Sequence, residues 1–299
     1  MSHSLPRNGR DPKPFNNSDV KSGPPTHTGA MLTEPLLIAS VAAAIREVGN
    51  AEVVPRFRSL AAGDVTEKGP GDLVTVADQE CERVLSERLR TLRDIPVVGE
   101  EATAADPSLL DLVAEAPAVW VTDPIDGTSN FVAGNTNFVV MVSLVEHGAT
   151  EAAWIWHPET DVMLTAERGK GLSRNGEPAP NATRSDQPRG ILKRKFMGEP
   201  ARTRLGSFPQ EVGEVVPAYG SAGIEYAALI DGRIDFLMYW RTLPWDHSPG
   251  GLLAQEAGMR VARPDGSLYL PGDGKTGLLA ATPELWDLVA AQIQAATND

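Results

Sequence analysis

One segment constrains this chain more than any other: Trp120-Val-Thr-Asp-Pro-Ile-Asp-Gly-Thr-Ser-Asn-Phe131, an apolar run broken by two aspartates around a proline. Pro124 fixes its own φ and pushes Asp123 toward an extended conformation, so the two carboxylates flank a rigid corner. Gly127 lets the backbone turn without a Cβ clash. Thr128 or Ser129 can then start a helix whose free N–H groups form an anion site. An Asx-type turn with a helix cap explains either aspartate taken alone. Two other segments shift the weighing. Val97-Val98-Gly99-Glu100-Glu101 ends another apolar strand in adjacent acids, and Pro244-Trp245-Asp246 sets an isolated carboxylate just before a Gly-containing helix. Acids at the ends of buried strands need a compensating partner.

Around these segments, helical and strand patterns interleave. Apolar residues at helical spacing predict a long helix from Leu32 to Leu60 and a second from Val76 to Leu92. Lys68-Gly69-Pro70-Gly71-Asp72 reads as a loop between them, leading into the second helix through Thr75 or Asp78. Short β-branched runs predict strands at Pro96 to Gly99, Val119 to Val121, Asn137 to Val145, Ala152 to His157 and Asp161 to Glu167. Further on, the pattern predicts helices over Ser221 to Ile230, Ser248 to Glu256 and Pro283 to Ala295, with a strand at Phe236 to Trp240. Interleaving of this kind predicts a layered α/β or α+β architecture, with residues 31–299 as a single domain. Met1 to Ala30, with five prolines and no apolar period, predicts a disordered tail.

Composition narrows the chemistry. A single cysteine, Cys81, excludes an internal disulfide and makes a thiolate zinc site implausible, leaving helix packing as its role. His147, His157 and His247 are dispersed without the i, i+4 spacing of a helical zinc site, so a metal here would take oxygen ligands, as hard cations such as magnesium do. The net charge of −13 argues against nucleic-acid partners. The one short basic cluster, Lys193-Arg194-Lys195, reads as a solvated face or as a local aid near a phosphate. No run is long and apolar enough for a membrane span or a secretory signal, which predicts a soluble, cytoplasmic protein.

Four ordered motifs, Asp72-Leu-Val-Thr-Val-Ala-Asp78, Gly99-Glu-Glu101, Asp123-Pro-Ile-Asp-Gly-Thr128 and Trp245-Asp246 followed by Glu256-Ala-Gly258, resemble the inositol monophosphatase family of lithium-sensitive, magnesium-dependent phosphatases. The resemblance covers nearly all of residues 31–299. It implies a five-layer αβαβα sandwich, usually as a homodimer, and metal ligation by Glu100, Asp123, the Ile125 carbonyl, Asp126 and Asp246. It also implies two magnesium ions, with a third, weaker one near Lys68 and Asp78, where surface charge and helix capping are equal alternatives. Four converging carboxylates would resist ionisation, and two divalent cations balance them. By the same resemblance, metal-activated water attacks in line, oriented by Glu100 and Thr128. Gly127 and Thr128 N–H groups hold the phosphate, Asp123 and Asp126 fix the metal pair, and Asp246 completes the second metal's shell.

Substrate choice is less constrained. Gly220-Ser221-Ala222 matches the stretch that approaches substrate in the family, although a packing turn before a helix explains it nearly as well. Inositol-specific members carry an acid seven positions before the Trp-Asp aspartate; here that position is Tyr239, which cannot accept paired hydrogen bonds from ring hydroxyls. Inositol phosphate, histidinol phosphate, sugar phosphates and nucleotide 3′-phosphates all stay open, as does a non-catalytic scaffold that keeps the fold. Met259 replaces a usual glycine, with an expected effect on packing. Trp154 and Trp156, alternating on one strand, read as core or interface. His247 reads as a helix-start residue facing solvent or a partner subunit, with a proton shuttle as the alternative.

Overall fold

A computed structural model of the chain describes residues 34–69, 71–180, 185–210 and 212–298. The expected tail, Met1 to Ala30, lies outside the described residues. In chain order the helices are α1 (Glu34–Glu52), α2 (Val76–Leu92), α3 (Glu100–Ala105), α4 (Asp111–Glu115), α5 (Thr128–Val132), α6 (Ala201–Arg204), α7 (Ala222–Ile230), α8 (Pro244–Glu256) and α9 (Pro283–Thr297). The strands are β1 (Val65–Gly69), β2 (Asp72–Thr75), β3 (Val97–Gly99), β4 (Ala118–Asp126), β5 (Val139–Glu146), β6 (Ala149–His157), β7 (Val162–Glu167), β8 (Gly171–Arg174) and β9 (Glu177–Pro178). They continue with β10 (Arg189–Lys193), β11 (Glu214–Val215), β12 (Phe236–Tyr239), β13 (Arg260–Ala262) and β14 (Leu278–Ala281).

Five layers follow from which apolar faces meet. Leu37, Val41, Ile45 and Val48 of α1 join Cys81, Leu85 and Leu89 of α2 against Trp120, Val140, Val142, Trp154 and Trp156 on one face of a seven-stranded sheet, ordered β3 to β9. Val139, Met141, Ala153 and Ile155 on its other face meet Ile224 of α7 and Leu252 and Leu253 of α8. The opposite sides of those helices bury Tyr226, Leu229 and Ala254 against Ile191, Leu237 and Leu278 of a five-stranded sheet, ordered β11-β10-β12-β14-β13. Leu285, Trp286, Val289 and Ile293 of α9 close its far face. The order helix, sheet, helix, sheet, helix is the expected αβαβα sandwich. Cys81, Trp154 and Trp156 are core residues, and Met259 packs beneath the second sheet.

Four local expectations are corrected. The first helix stops at Glu52 rather than Leu60, because Pro55 cannot donate into the helical ladder; it opens a short 3₁₀ turn, Val54–Arg56. The segment Lys68 to Asp72 is not a free loop: β1 and β2 pair antiparallel up to Gly69 opposite Asp72, with Gly71 at a φ of 72° in the turn. The strand ending at Val121 continues to Asp126, through a bulge described below. Helix α8 begins one turn before Ser248, since Pro244 at its first position needs no N–H partner. Asp246 therefore sits inside the first turn of α8 instead of ahead of it.

Candidate active site

The carboxylates converge because β4 is irregular. Asp123 pairs with Met141 of β5 and Asp126 with Val139, so three residues of β4 span two of its neighbour. Pro124 has no N–H to give the ladder, and the extra residue is the bulge that results. In a regular strand, residues three apart point to opposite faces. The bulge turns Asp123 and Asp126 to the same side, where Asp246 of α8 meets them: one ligand atom from each of the three lies within 4.8 Å of the others.

Asp126 is held firmly. Its carboxylate accepts the Ser221 hydroxyl at 2.6 Å, the Ala222 N–H at 3.0 Å and the Gly223 N–H at 2.6 Å, so it caps the N-terminus of α7. Ser221 also accepts the Ile224 N–H as the helix N-cap. The stretch 220–222 expected to approach substrate is therefore first a mount for Asp126, and it also lines the adjoining cavity of about 230 Å³. Gly223 has no room for a side chain, because a Cβ would lie 2.5 Å from Val139 and 2.6 Å from Met141. Ser221→Ala removes the hydroxyl and leaves the two N–H groups; kcat should fall about ten- to a hundredfold with weaker metal affinity, read from magnesium titrations of phosphate release.

Behind this mount lies Glu225, fully buried, which sequence reading missed. It accepts the N–H groups of Tyr219 and Gly220, the Tyr239 hydroxyl at 2.5 Å, and an ion pair from Lys193 at 3.1 Å. Its signal was visible: one acid inside the otherwise apolar Ala222-Gly-Ile-Glu-Tyr-Ala-Ala-Leu-Ile230. Tyr239 is buried with its hydroxyl committed to Glu225. Asn130 was also missed, and it ties the Asn137 and Tyr219 carbonyls together beside Gly127. Gly127 itself takes a φ of 100°, and a Cβ there would meet the Asn137 oxygen at 2.8 Å.

On the other flank, Thr128 donates to Asp78 at 2.9 Å or to the Ile125 carbonyl at 3.0 Å, its one hydrogen serving either. Asp78 closes a capping box with Thr75 at the start of α2. Glu100, first residue of α3, stands apart from the three clustered aspartates. Its Oε1 accepts Lys68 at 2.8 Å, and the same lysine holds Glu101 at 2.9 Å. Buried Glu82, also missed, accepts the Glu101 and Ala102 N–H groups and so fixes the start of α3. His247 is a correction: it is buried, with Nε2 3.1 Å from the Arg241 carbonyl and Nδ1 3.4 Å from the Tyr226 hydroxyl. It faces neither solvent nor a partner, and burial lowers its pKa to about 3.

Electrostatically the site is poised for cations. Burial, then the charges of Glu100, Asp126 and Asp246, push the Asp123 carboxyl well above its ordinary range. Asp246 is raised by enclosure and by Asp126 and Glu100, against the opposing pull of Arg241 and Lys193. Asp126 is raised to about 6 by burial in spite of its three donors, and Asp78 to about 6 by burial. Glu101 rises to about 7, chiefly by burial. Lys68 loses to burial but is held above the usual lysine range by Glu100 and Glu101. Asp123 receives one backbone donor, Ile125 N–H at 3.1 Å. Three carboxylates so close, offering only oxygen and two of them with few donors, fit a hard divalent cation.

Comparison with known proteins agrees with this architecture. The Nus factor SuhB of Escherichia coli is 29% identical over 231 residues, covering 75% of this chain and 83% of that protein. A Thermotoga maritima protein named fructose-1,6-bisphosphatase/inositol-1-monophosphatase is 29% identical over 211 residues, covering 66% of this chain and 75% of its own length. The solved structure of a Thermotoga maritima IMPase superposes with a TM-score of 0.70 at 25% identity, over 85% of this chain and 95% of that one. Inositol monophosphatase II of Staphylococcus aureus shares the fold, with a TM-score of 0.67 at 21% identity, over 88% and 92% of the two chains. Residues 33–298 match the profile of the inositol monophosphatase family. With that span matched and the acidic site assembled within it, this chain belongs to the inositol monophosphatase family.

Proposed function

We propose that the protein is a magnesium-dependent phosphatase that hydrolyses a small phosphate monoester by attack of activated water. The observation that carries this reading is the convergence of Asp123, Asp126 and Asp246 within 4.8 Å at the bulge of β4. Asp123, Asp126, Asp246, the Ile125 carbonyl and Glu100, the last exchanging Lys68 for the ion, would hold two magnesium ions. Such ions supply charge neutralisation at the phosphoryl oxygens and lower the pKa of water toward neutrality. A third, weaker ion would draw on Asp78 beside Lys68.

The chain's own groups do the positioning. Thr128, with its hydrogen given to Asp78 or Ile125, keeps a lone pair to accept a hydrogen from the attacking water, and Glu100 takes the proton. The N–H groups of Gly127 and Thr128, opening α5, receive phosphoryl oxygens. Gly220, Ser221, Ala222 and Tyr239 wall the side on which the alcohol leaves, at the cavity shared with Asp126 and Asp246. We further propose a homodimer acting in the cytoplasm and sensitive to lithium. The relatives named Nus factor SuhB point to roles of those proteins; in this chain the intact carboxylates favour hydrolysis.

The test is phosphate release from inositol 1-phosphate, histidinol phosphate, fructose 1,6-bisphosphate, adenosine 3′,5′-bisphosphate and an aryl phosphate, with magnesium and with a chelator. Magnesium-dependent turnover of any of them is expected. Folded protein that releases phosphate from none, and shows no heat of magnesium binding, would sink the reading.

A further inference from the structure

The cavity beside the carboxylates changes sign along its length. At its inner end stand Asp126 and Asp246; its outer wall carries Lys193, Lys195 and Arg241. For a chain of net charge −13, three cations gathered at one cavity are an exception that calls for a cause. Lys193 is accounted for, because its ammonium lies 3.1 Å from the buried Glu225 carboxylate. Lys195 and Arg241 are not: among the described residues neither has a carboxylate within ion-pair distance. Arg194, between the two lysines in sequence, is turned away to the Arg202 carbonyl.

What Lys195 and Arg241 share is Phe196. The Arg241 guanidinium lies 4.1 Å from the centre of its ring and the Lys195 ammonium 5.4 Å. Phe196 is 48% exposed, an unusual cost for a large apolar side chain unless its face is used. Two like charges on one ring repel each other, and an anion between them removes that repulsion while gaining two charge-assisted hydrogen bonds. Arg241 also acts on Asp246, which places its charge within electrostatic reach of the carboxylate site. A second, largely apolar hollow of about 410 Å³, walled by Leu110, Leu243 and Pro271, shares Phe196, Trp240 and Arg241 with this cavity. On the Tyr239 side the wall is committed inward, because Tyr239 donates to Glu225 and Glu225 also accepts the Tyr219 and Gly220 N–H groups and Lys193.

We propose that the alcohol part of the substrate carries a second anionic group, a carboxylate or a phosphate, bound between Lys195 and Arg241 over Phe196. This rests on the phosphatase reading of the carboxylate site and names the substrate class of that site. Recognition runs through charge at the far end of the leaving group, and the aspartates handle the scissile end.

The test uses three esters on one carbon skeleton, with the full chain and saturating magnesium: glycerol 1-phosphate, 3-phosphoglycerate and propane-1,3-diol bisphosphate. The two doubly anionic esters should exceed glycerol 1-phosphate in kcat/KM by about ten- to a hundredfold, the effect of one or two charge-assisted hydrogen bonds. In the double variant K195Q/R241Q that ratio should fall to near one, and in K195R/R241K it should survive, which separates charge from folding. The larger of the two ratios tells whether the second anion is a carboxylate or a phosphate. A ratio near one in the unmodified protein, or a ratio kept by K195Q/R241Q, overturns the proposal. Should no ester be turned over, the phosphatase reading is decided by the magnesium-binding and wider substrate test above, and the same ratios, taken from calorimetric dissociation constants, still decide the anion site.

Discussion

Asp123→Asn should lower magnesium-dependent phosphate release by about a thousandfold, the loss of several kcal/mol of charge stabilisation in the transition state. The same variant should unfold a few degrees higher than the unmodified protein when both are in chelator. Burial, with the charges of Glu100, Asp126 and Asp246, already holds the Asp123 carboxyl far toward the protonated form. An amide of the same shape removes that repulsion. Saturating magnesium should reverse the order, because the unmodified site gains a ligand-linked stabilisation of about 2.7 kcal/mol at a hundredfold excess over Kd and the variant does not. Activity by a phosphate assay and melting by calorimetry, each with and without magnesium, check both halves. A variant that kept full turnover, or that melted lower in chelator, would contradict the account.

The second large effect is a reversal in the pH dependence of stability. Glu101 near 7 and Asp126 and Asp78 near 6 sit above the values of an unfolded chain, so between those limits the folded state binds more protons. Their strain is greatest at high pH and is relieved as pH falls through the folded values. His247 works in the opposite sense. Its pKa, lowered to about 3 by burial, costs stability as pH falls through the ordinary histidine value of about 6.5. Between pH 8 and 6.5 the carboxylates outweigh that opposition, which reaches about 0.4 kcal/mol at pH 6.5, and Glu101 alone should stabilise the chelated protein by on the order of 1 kcal/mol. With magnesium bound, protons compete with the ion and acidification over the same range should destabilise. Urea unfolding at pH 8 and 6.5, with and without magnesium, reads the two slopes; equal signs would show that Asp126 is not a ligand of the ion.

Much of the fold was legible in the residues because its signals are local. The apolar period of α1, the Thr75 and Asp78 cap of α2, the β-branched runs of β5 to β7 and the alternation that buries Trp154 and Trp156 each arise within one segment. The motif aspartates were legible only as a set, since an Asx-type turn explains either one alone and it is four ordered motifs together that resemble the family. Boundaries went wrong where a proline acted: Pro55 cut α1 short, and Pro244 started α8 early. A periodicity shows which face is apolar, whereas a proline's missing N–H decides where the ladder can run.

The partners of those residues depend on distant parts of the chain. Ser221 and the N-terminus of α7 hold Asp126 from 95 to 97 positions away, and Lys68 reaches Glu100 across 32. No spacing rule links such positions. Glu225 was overlooked because a helical acid ordinarily faces water, and only the packing of α7 between two sheets turns it inward against Tyr239 and Lys193. His247 was misplaced for the same reason, since its burial comes from Tyr226 and Tyr239 on other elements. By itself, the sequence determined the layered class of the fold and the identity of the acidic residues, because backbone sterics, periodicity and charge act over a few residues. Only the tertiary structure decided that Asp123 and Asp126 face the same way, that Glu100 is paired with Lys68, and that two cations wait at the outer wall, because those facts depend on which surfaces are brought into contact when the sheets stack.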